Sequence, residues 1–302
     1  MSVARSQADP GAVTAATPVR RASRTFDLLL NLPGGLLTST LILFTLGLLV
    51  YLSLRVNDGQ IIGSAFTTDN LLWALSDSLT RTVLLRSIVL SAIVTVVTVV
   101  LAYPVAWYLA FHAGKRRNLL LFLISLPFWT SYLLRVFAWK IVLAYNGVLN
   151  SSLMATGLTD TPLTGLLNTP MAVVVVLAHA YAAFAVLPIY ICLNGLARNL
   201  LEAAADLGAR PRQSFARVVL PLSMPGVLSA ALVVFVPTVG DYVTPALVGG
   251  PASSMIGTLI QAQFGKANDW TAGAALAVVS MVAIALVVLL TRALVRRWVE
   301  PR

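Results

Sequence analysis

The sequence predicts an all-α integral membrane protein with six transmembrane helices and both termini in the cytoplasm. Three observations carry this reading. Of the 302 residues 58% are hydrophobic and only 11% charged, with a mean hydropathy of +0.87. A soluble domain carries roughly a quarter charged residues, and a disordered chain needs low hydrophobicity, so both classes are excluded. Six stretches reach the ~20 mostly apolar residues that cross a bilayer. Finally, the basic residues fall on alternate connections.

Residues 1–33 read as a polar, disordered cytoplasmic tail carrying Arg5, Arg20, Arg21 and Arg24. The membrane domain is expected over 34–297, with residues 298–302 as a cytoplasmic end. Its spans are predicted near Leu36–Leu54, Thr82–Phe111, Asn118–Leu143, Met171–Leu196, Leu222–Val243 and Trp270–Thr291. Arginines ahead of the first span suit a signal peptide. No small-residue cleavage site follows Leu54, however, where the chain reads Arg55-Val56-Asn57, and a retained span is expected.

With the N-terminus inside, fifteen Lys and Arg lie on the inner segments and only Arg55, Arg81 and Lys266 on the outer ones. The inner sets are the tail, Lys115-Arg116-Arg117, the Arg198–Arg217 connection and the C-terminal end from Arg292. This is the positive-inside bias, and it accounts for the net charge of +10 without nucleic acid. Arg86, Arg135 and Lys140 remain within or beside spans, where long side chains reach the interface.

Chemistry-bearing patterns are few. The single Cys192 excludes an intrachain disulfide. No His-Glu-x-x-His is present, and His112 and His179 have no partner pattern. Gly265-Lys266 has Ile260 where a phosphate-binding loop needs its first glycine. No catalytic residue, metal site or cofactor is expected, and any nucleotide hydrolysis belongs to another chain.

The connection at 198–221 is the most structured one. Asn199 is placed to cap a short helix, with Glu202 three residues on as in a capping box. Gly208 suits a left-handed helix end and Pro211 the first position of a second short helix. Pro221 and Pro225 would bound a connection into the fifth span. Glu202-Ala203-Ala204, then Gly208, then Val218 and Leu220-Pro221 follow at fixed spacing. This pattern resembles the cytoplasmic signature of permease subunits of type I binding-protein-dependent ABC importers, with Val218 where isoleucine is usual.

The resemblance implies the type I importer permease fold and a coupling role for this loop: docking on a dimer of cytoplasmic ATPase subunits. It also implies a second permease subunit, expected to form a heterodimer, a periplasmic solute-binding protein and a bacterial inner-membrane location. Further runs are similar to the spermidine/putrescine branch: Leu126 through Tyr132, Asn168-Thr169-Pro170, Gly240-Asp241-Tyr242-Val243, Gly249-Gly250-Pro251 and Asp269-Trp270. They imply a polyamine solute. Ala246 departs from members with an acid there, so an opine, amino-acid-like or other cationic solute stays open.

Asp241 follows Pro237 and Gly240, which permit a broken helix whose freed backbone lines a cavity. There it would meet a cationic solute, with Tyr242, Trp129 and Tyr132 offering π faces, or pair internally with Arg135 or Lys140. An ion-coupled secondary transporter using Asp241 is the rival class; one acid and no inverted repeat speak against it.

Overall fold

The computed structural model describes residues 24–57 and 62–299. The first 23 residues of the expected tail, with Arg5, Arg20 and Arg21, lie outside the described residues, as do Asp58 and residues 300–302. The chain divides into two units, residues 1–48 and 49–302.

Helix α1, Arg24–Ser53, begins in the first unit. Residues 24–33, expected as tail, are therefore helical. Thr38 and Thr45 donate back to the carbonyls of Gly34 and Leu41 at 2.8 Å, so neither hydroxyl needs water.

In the second unit, strands β1 (Arg55–Asn57) and β2 (Ile62–Phe66) form a short antiparallel pair that the sequence reading did not anticipate. Helices α2 (Asp69–Ser76) and α3 (Ser78–Phe111) follow. Asp77 caps α3, accepting from the Thr80 amide at 2.7 Å and hydroxyl at 2.8 Å, and these bonds hold its carboxyl below the usual carboxylate range. After a 3₁₀ turn come α4 (Arg117–Ser125), a second 3₁₀ turn (Leu126–Trp129), α5 (Tyr132–Leu143) and α6 (Val148–Ala155). Helix α7 is Pro170–Asn194. Then come α8 (Arg198–Asp206), α9 (Pro211–Ser214), a π-turn (Phe215–Val219) and α10 (Leu220–Val239). Helices α11 (Val243–Val248), α12 (Ile256–Ala262) and α13 (Trp270–Val299) complete the chain.

Among the described residues six segments are long and apolar enough to cross a membrane, as expected, but the third differs. The apolar stretch is Tyr132–Ala155 rather than Asn118–Leu143. Pro127 and the extended Thr130 and Ser131 interrupt the expected helix. Leu126, before Pro127, keeps helical angles, and the 3₁₀ turn that holds Pro127 carries the chain to the break at Thr130 and Ser131.

The core is built on α3, α7 and α10, which pack against one another. Helix α7 is central: 61% of its apolar window is buried, against 33% in α3 and in the α9–α10 segment. Buried positions of α3 recur at three and four residues, through Val83, Ser87, Leu90, Val94, Thr98, Ala102, Ala106 and Leu109. That stripe is one helix face. Small residues set the approach of α7 and α10: a Cβ on Gly226 would lie 2.5 Å from Cys192 Cβ and 2.9 Å from the Pro188 carbonyl. This is the close crossing expected where lipid gives no hydrophobic drive between helices.

The loops after α10 fold back against this core. Ser87 Oγ accepts from the Ile256 amide at 2.7 Å, fixing the start of α12 to α3. A Cβ on Gly257 would lie 2.2 Å from the Gly240 carbonyl oxygen. Gly257→Ala therefore forces α12 away from Gly240, with an overpacking cost of about 1–3 kcal/mol. The expected outcome is a lowered thermal midpoint in detergent, measured beside Gly265→Ala, whose nearest neighbour is the flexible Gln261 side chain.

Candidate functional site: the two ends of one helix

Between Asp206 and Pro211 the chain turns sharply. Gly208 has φ +77°. The amide of Ala209 donates to Ala204 O at 3.0 Å and that of Gly208 to Ala205 O at 2.8 Å. These are the paired bonds of a Schellman ending, with Gly208 in the left-handed position expected for it. The turn exposes Glu202, Ala203 and Gly208, and leaves Leu207 89% exposed at its tip.

Two local expectations fail. Helix α8 starts after Ala197, which makes no side-chain cap, so Asn199 sits inside the helix and forms no capping box with Glu202. The reach-back bond occurs one helix later, where Gln213 Oε1 accepts from the Arg210 amide at 2.9 Å. Nor are Pro221 and Pro225 the bounds of a connection. Pro211–Val239 is helical throughout, 29 residues, with the π-turn inside it. In that π-turn the Leu220 amide bonds back to Phe215 O, and Pro221 falls in the first turn of α10. A proline is tolerated there because no donor is required of it.

The π-turn is held to the core by aromatic rings that the sequence reading passed over. Phe215 meets Tyr103 edge-on at 5.9 Å and Trp107 at 5.5 Å, and Trp107 packs on Phe111 at 4.5 Å. The Tyr103 hydroxyl pairs with Ser223 Oγ at 2.9 Å. Tyr103, Trp107 and Phe111 recur every four residues, a spacing that places them on one face of α3. Val218 is half-buried; Leu220 and Pro221 lie exposed beside this anchor.

At the far end of the same helix, Gly240 closes α10 and Asp241 follows, 8% exposed. Its Oδ2 accepts from the Tyr132 hydroxyl at 2.6 Å and its Oδ1 from the Val243 amide at 3.0 Å. The same Tyr132 oxygen lies 2.6 Å from Thr244 Oγ1. The internal ion pair considered from sequence is not formed among the described residues. Arg135 donates instead to the Ala180 carbonyl at 3.1 Å, with its guanidinium 5.8 Å from the Tyr132 ring. Arg86 likewise donates to the Pro251 carbonyl at 3.3 Å. Trp139 donates to His179 Nδ1 at 3.1 Å, a hydrogen bond rather than chemistry for that histidine.

The structure thus brings Tyr132 and Asp241 together, though through a hydroxyl and not a π face. Tyr242 and Gly240 line a neighbouring recess of about 450 Å³ with Gly257, Gln261 and Phe264. Trp129, 81% exposed, is not among the groups that reach the carboxylate. Thr244 was not foreseen; it lies three residues from Asp241, but the Tyr132 hydroxyl that joins the two comes from 109 residues away. Among the described residues no group of three His, Cys, Asp or Glu side chains is placed to hold a metal ion.

Comparison with known proteins gives these two ends a context. Residues 102–302 match the family model of the binding-protein-dependent transport system inner membrane component. The spermidine/putrescine transport system permease protein PotB of Escherichia coli K12 is 40% identical over 233 residues, covering 77% of this chain and 84% of that protein. The inner membrane ABC transporter permease protein YdcU of the same organism is 35% identical over 216 residues, covering 68% of each. A crystal structure of a bacterial ABC transporter for the acidic polysaccharide alginate, in complex with its alginate-bound periplasmic protein, has a chain that superposes with a TM-score of 0.66 at 16% identity. The match covers 91% of this chain and 98% of that one, a likeness of fold.

The aromatic anchor makes a structural prediction. Phe215→Ala removes two ring contacts, each worth about 0.5–1.5 kcal/mol beyond burial. Amide hydrogen exchange over residues 209–219 should then rise about tenfold, while the centre of α10 keeps its protection. Unchanged exchange would show that the rings do not hold the turn.

Proposed function

Since the chain belongs to the family of binding-protein-dependent transport system inner membrane components, we propose that it is the translocating permease subunit of an ATP-driven importer for a polyamine such as spermidine or putrescine. The observation that carries this reading is the unbroken helix from Pro211 to Val239, which joins the exposed turn at Glu202–Gly208 to the buried Asp241. At 1.5 Å per residue it spans roughly 40 Å, enough to carry a push across a bilayer.

In this proposal the turn lies in the cytoplasm, in keeping with the fifteen-to-three charge bias, and both termini share that side. The turn docks on a dimer of ATPase subunits, where nucleotide is hydrolysed; the chain itself is non-catalytic. Glu202 makes no hydrogen bond among the described residues and is available to basic or polar groups of the ATPase. Leu207 supplies an apolar tip of the sort that anchors interfaces. A second, non-identical permease subunit completes the pathway, and a periplasmic binding protein delivers the solute. The names of the relatives support an inner-membrane location and a cationic solute.

Asp241 is the acid proposed to meet that cation, with Tyr242 on the adjoining recess and Trp129 further along the pathway. Here its carboxylate is closed by the Tyr132 hydroxyl and the Val243 amide, so a cation reaches it only after α5 and α11 separate. A buried carboxylate satisfied by neutral donors keeps its charge available, whereas an internal salt bridge would cancel it.

Two measurements test the reading. Gly208→Asp places a branched side chain at φ +77° and should abolish ATP-driven uptake while the protein stays in the membrane; retained uptake would remove the coupling role. Asp241→Asn should raise the KM for spermidine uptake at least tenfold, and unchanged kinetics would remove the acid from the pathway.

A further inference from the structure

Helices α3, α10 and α13 enclose a groove of about 500 Å³ that neither the coupling turn nor the Asp241 cluster uses. Its walls are Val96, Leu228, Leu232, Phe235 and Val288, and Arg292 lines one end. The three hydroxyls along it are already consumed by their own helices. Thr95 donates to Ser91 O at 2.7 Å, Ser229 to Pro225 O at 2.8 Å, and Thr291 to Val287 O. What the groove offers a ligand is therefore hydrocarbon and one guanidinium. No hydrogen bond or ion pair ties down Arg292 among the described residues.

Geometry narrows the occupant. Along α10 the groove runs from Phe235 to Pro225, ten residues or about 15 Å. That is half of a hydrocarbon core roughly 30 Å thick, the depth of a single leaflet. Arg292, near the end of α13, lines the groove with Pro225, near the start of α10, so the cation stands at the coupling-turn end. A groove about 15 Å long, walled by hydrocarbon with one guanidinium at its end, matches one acyl chain beneath an anionic headgroup.

We propose that this groove is a binding site for one anionic phospholipid of the coupling-side leaflet, its acyl chain between α10 and α13 and its phosphate on Arg292.

Native mass spectrometry of the full chain tests this, after exchange into equimolar phosphatidylglycerol and phosphatidylcholine. Wild type should retain one phosphatidylglycerol per chain with at least a fivefold preference over phosphatidylcholine. Arg292→Gln should bring that preference close to one while a lipid is still retained. Ala231→Phe, or Ala92→Leu if the first variant fails to fold, should fill the groove and lose the retained lipid. Three results would overturn the site: undiminished preference in Arg292→Gln, undiminished retention in a folded groove-filling variant, or cross-linking of Ser229→Cys to a helix of another chain.

Discussion

Everything distinctive about this molecule depends on the continuity of the helix from Pro211 to Val239. Three prolines, Pro221, Pro225 and Pro237, lie within α10, and each removes a backbone donor. The π-turn at Phe215–Val219 shifts the bonding pattern just before Pro221, and the helix continues through all three prolines to Val239. With that continuity, the turn at Gly208 and the carboxylate of Asp241 stand at the two ends of one helix. Without it they would be two unrelated surface features.

That helix is held at both ends. Near the Gly208 turn, Phe215 sits in the rings of α3 and Gly226 lets α10 cross α7 at backbone distance. Near Asp241, α10 ends against α12, whose Gly257 admits the Gly240 carbonyl, while Tyr132 reaches in from α5. The cations of the spans obey the same economy of partners. Arg86 donates to the Pro251 carbonyl and Arg135 to the Ala180 carbonyl of α7, with its guanidinium 5.8 Å from the Tyr132 ring. An uncompensated charge in such surroundings would be expensive, and these two arginines meet it with carbonyl dipoles.

How much of this was legible follows from how far apart the interacting residues are in sequence. The turn signature was readable because its physics is local: Gly208 takes the left-handed position and Pro211 opens the next helix within four residues of each other. The six apolar stretches were readable from composition. Three features were not. The Asn199 cap failed because α8 starts two residues earlier, where Ala197 offers no side-chain acceptor. The third span failed because its apolar residues continue through a break at Leu126–Ser131 that only backbone geometry reveals. Tyr132 was expected near Asp241, but as a π face: aromatic residues in a span announce a ring more readily than the hydroxyl that makes this contact across 109 residues.

The broken third span also bears on how the protein is made. Its best window has a hydropathy of 1.3, against 2.0–2.8 for the other five, and it carries Arg135 and Lys140. The Arg135 guanidinium finds its acceptor, the Ala180 carbonyl, on a helix synthesised later. The least apolar of the six segments thus has its guanidinium received by a helix that follows it in the chain, so its place in the bilayer rests on α7 as well as on its own side chains.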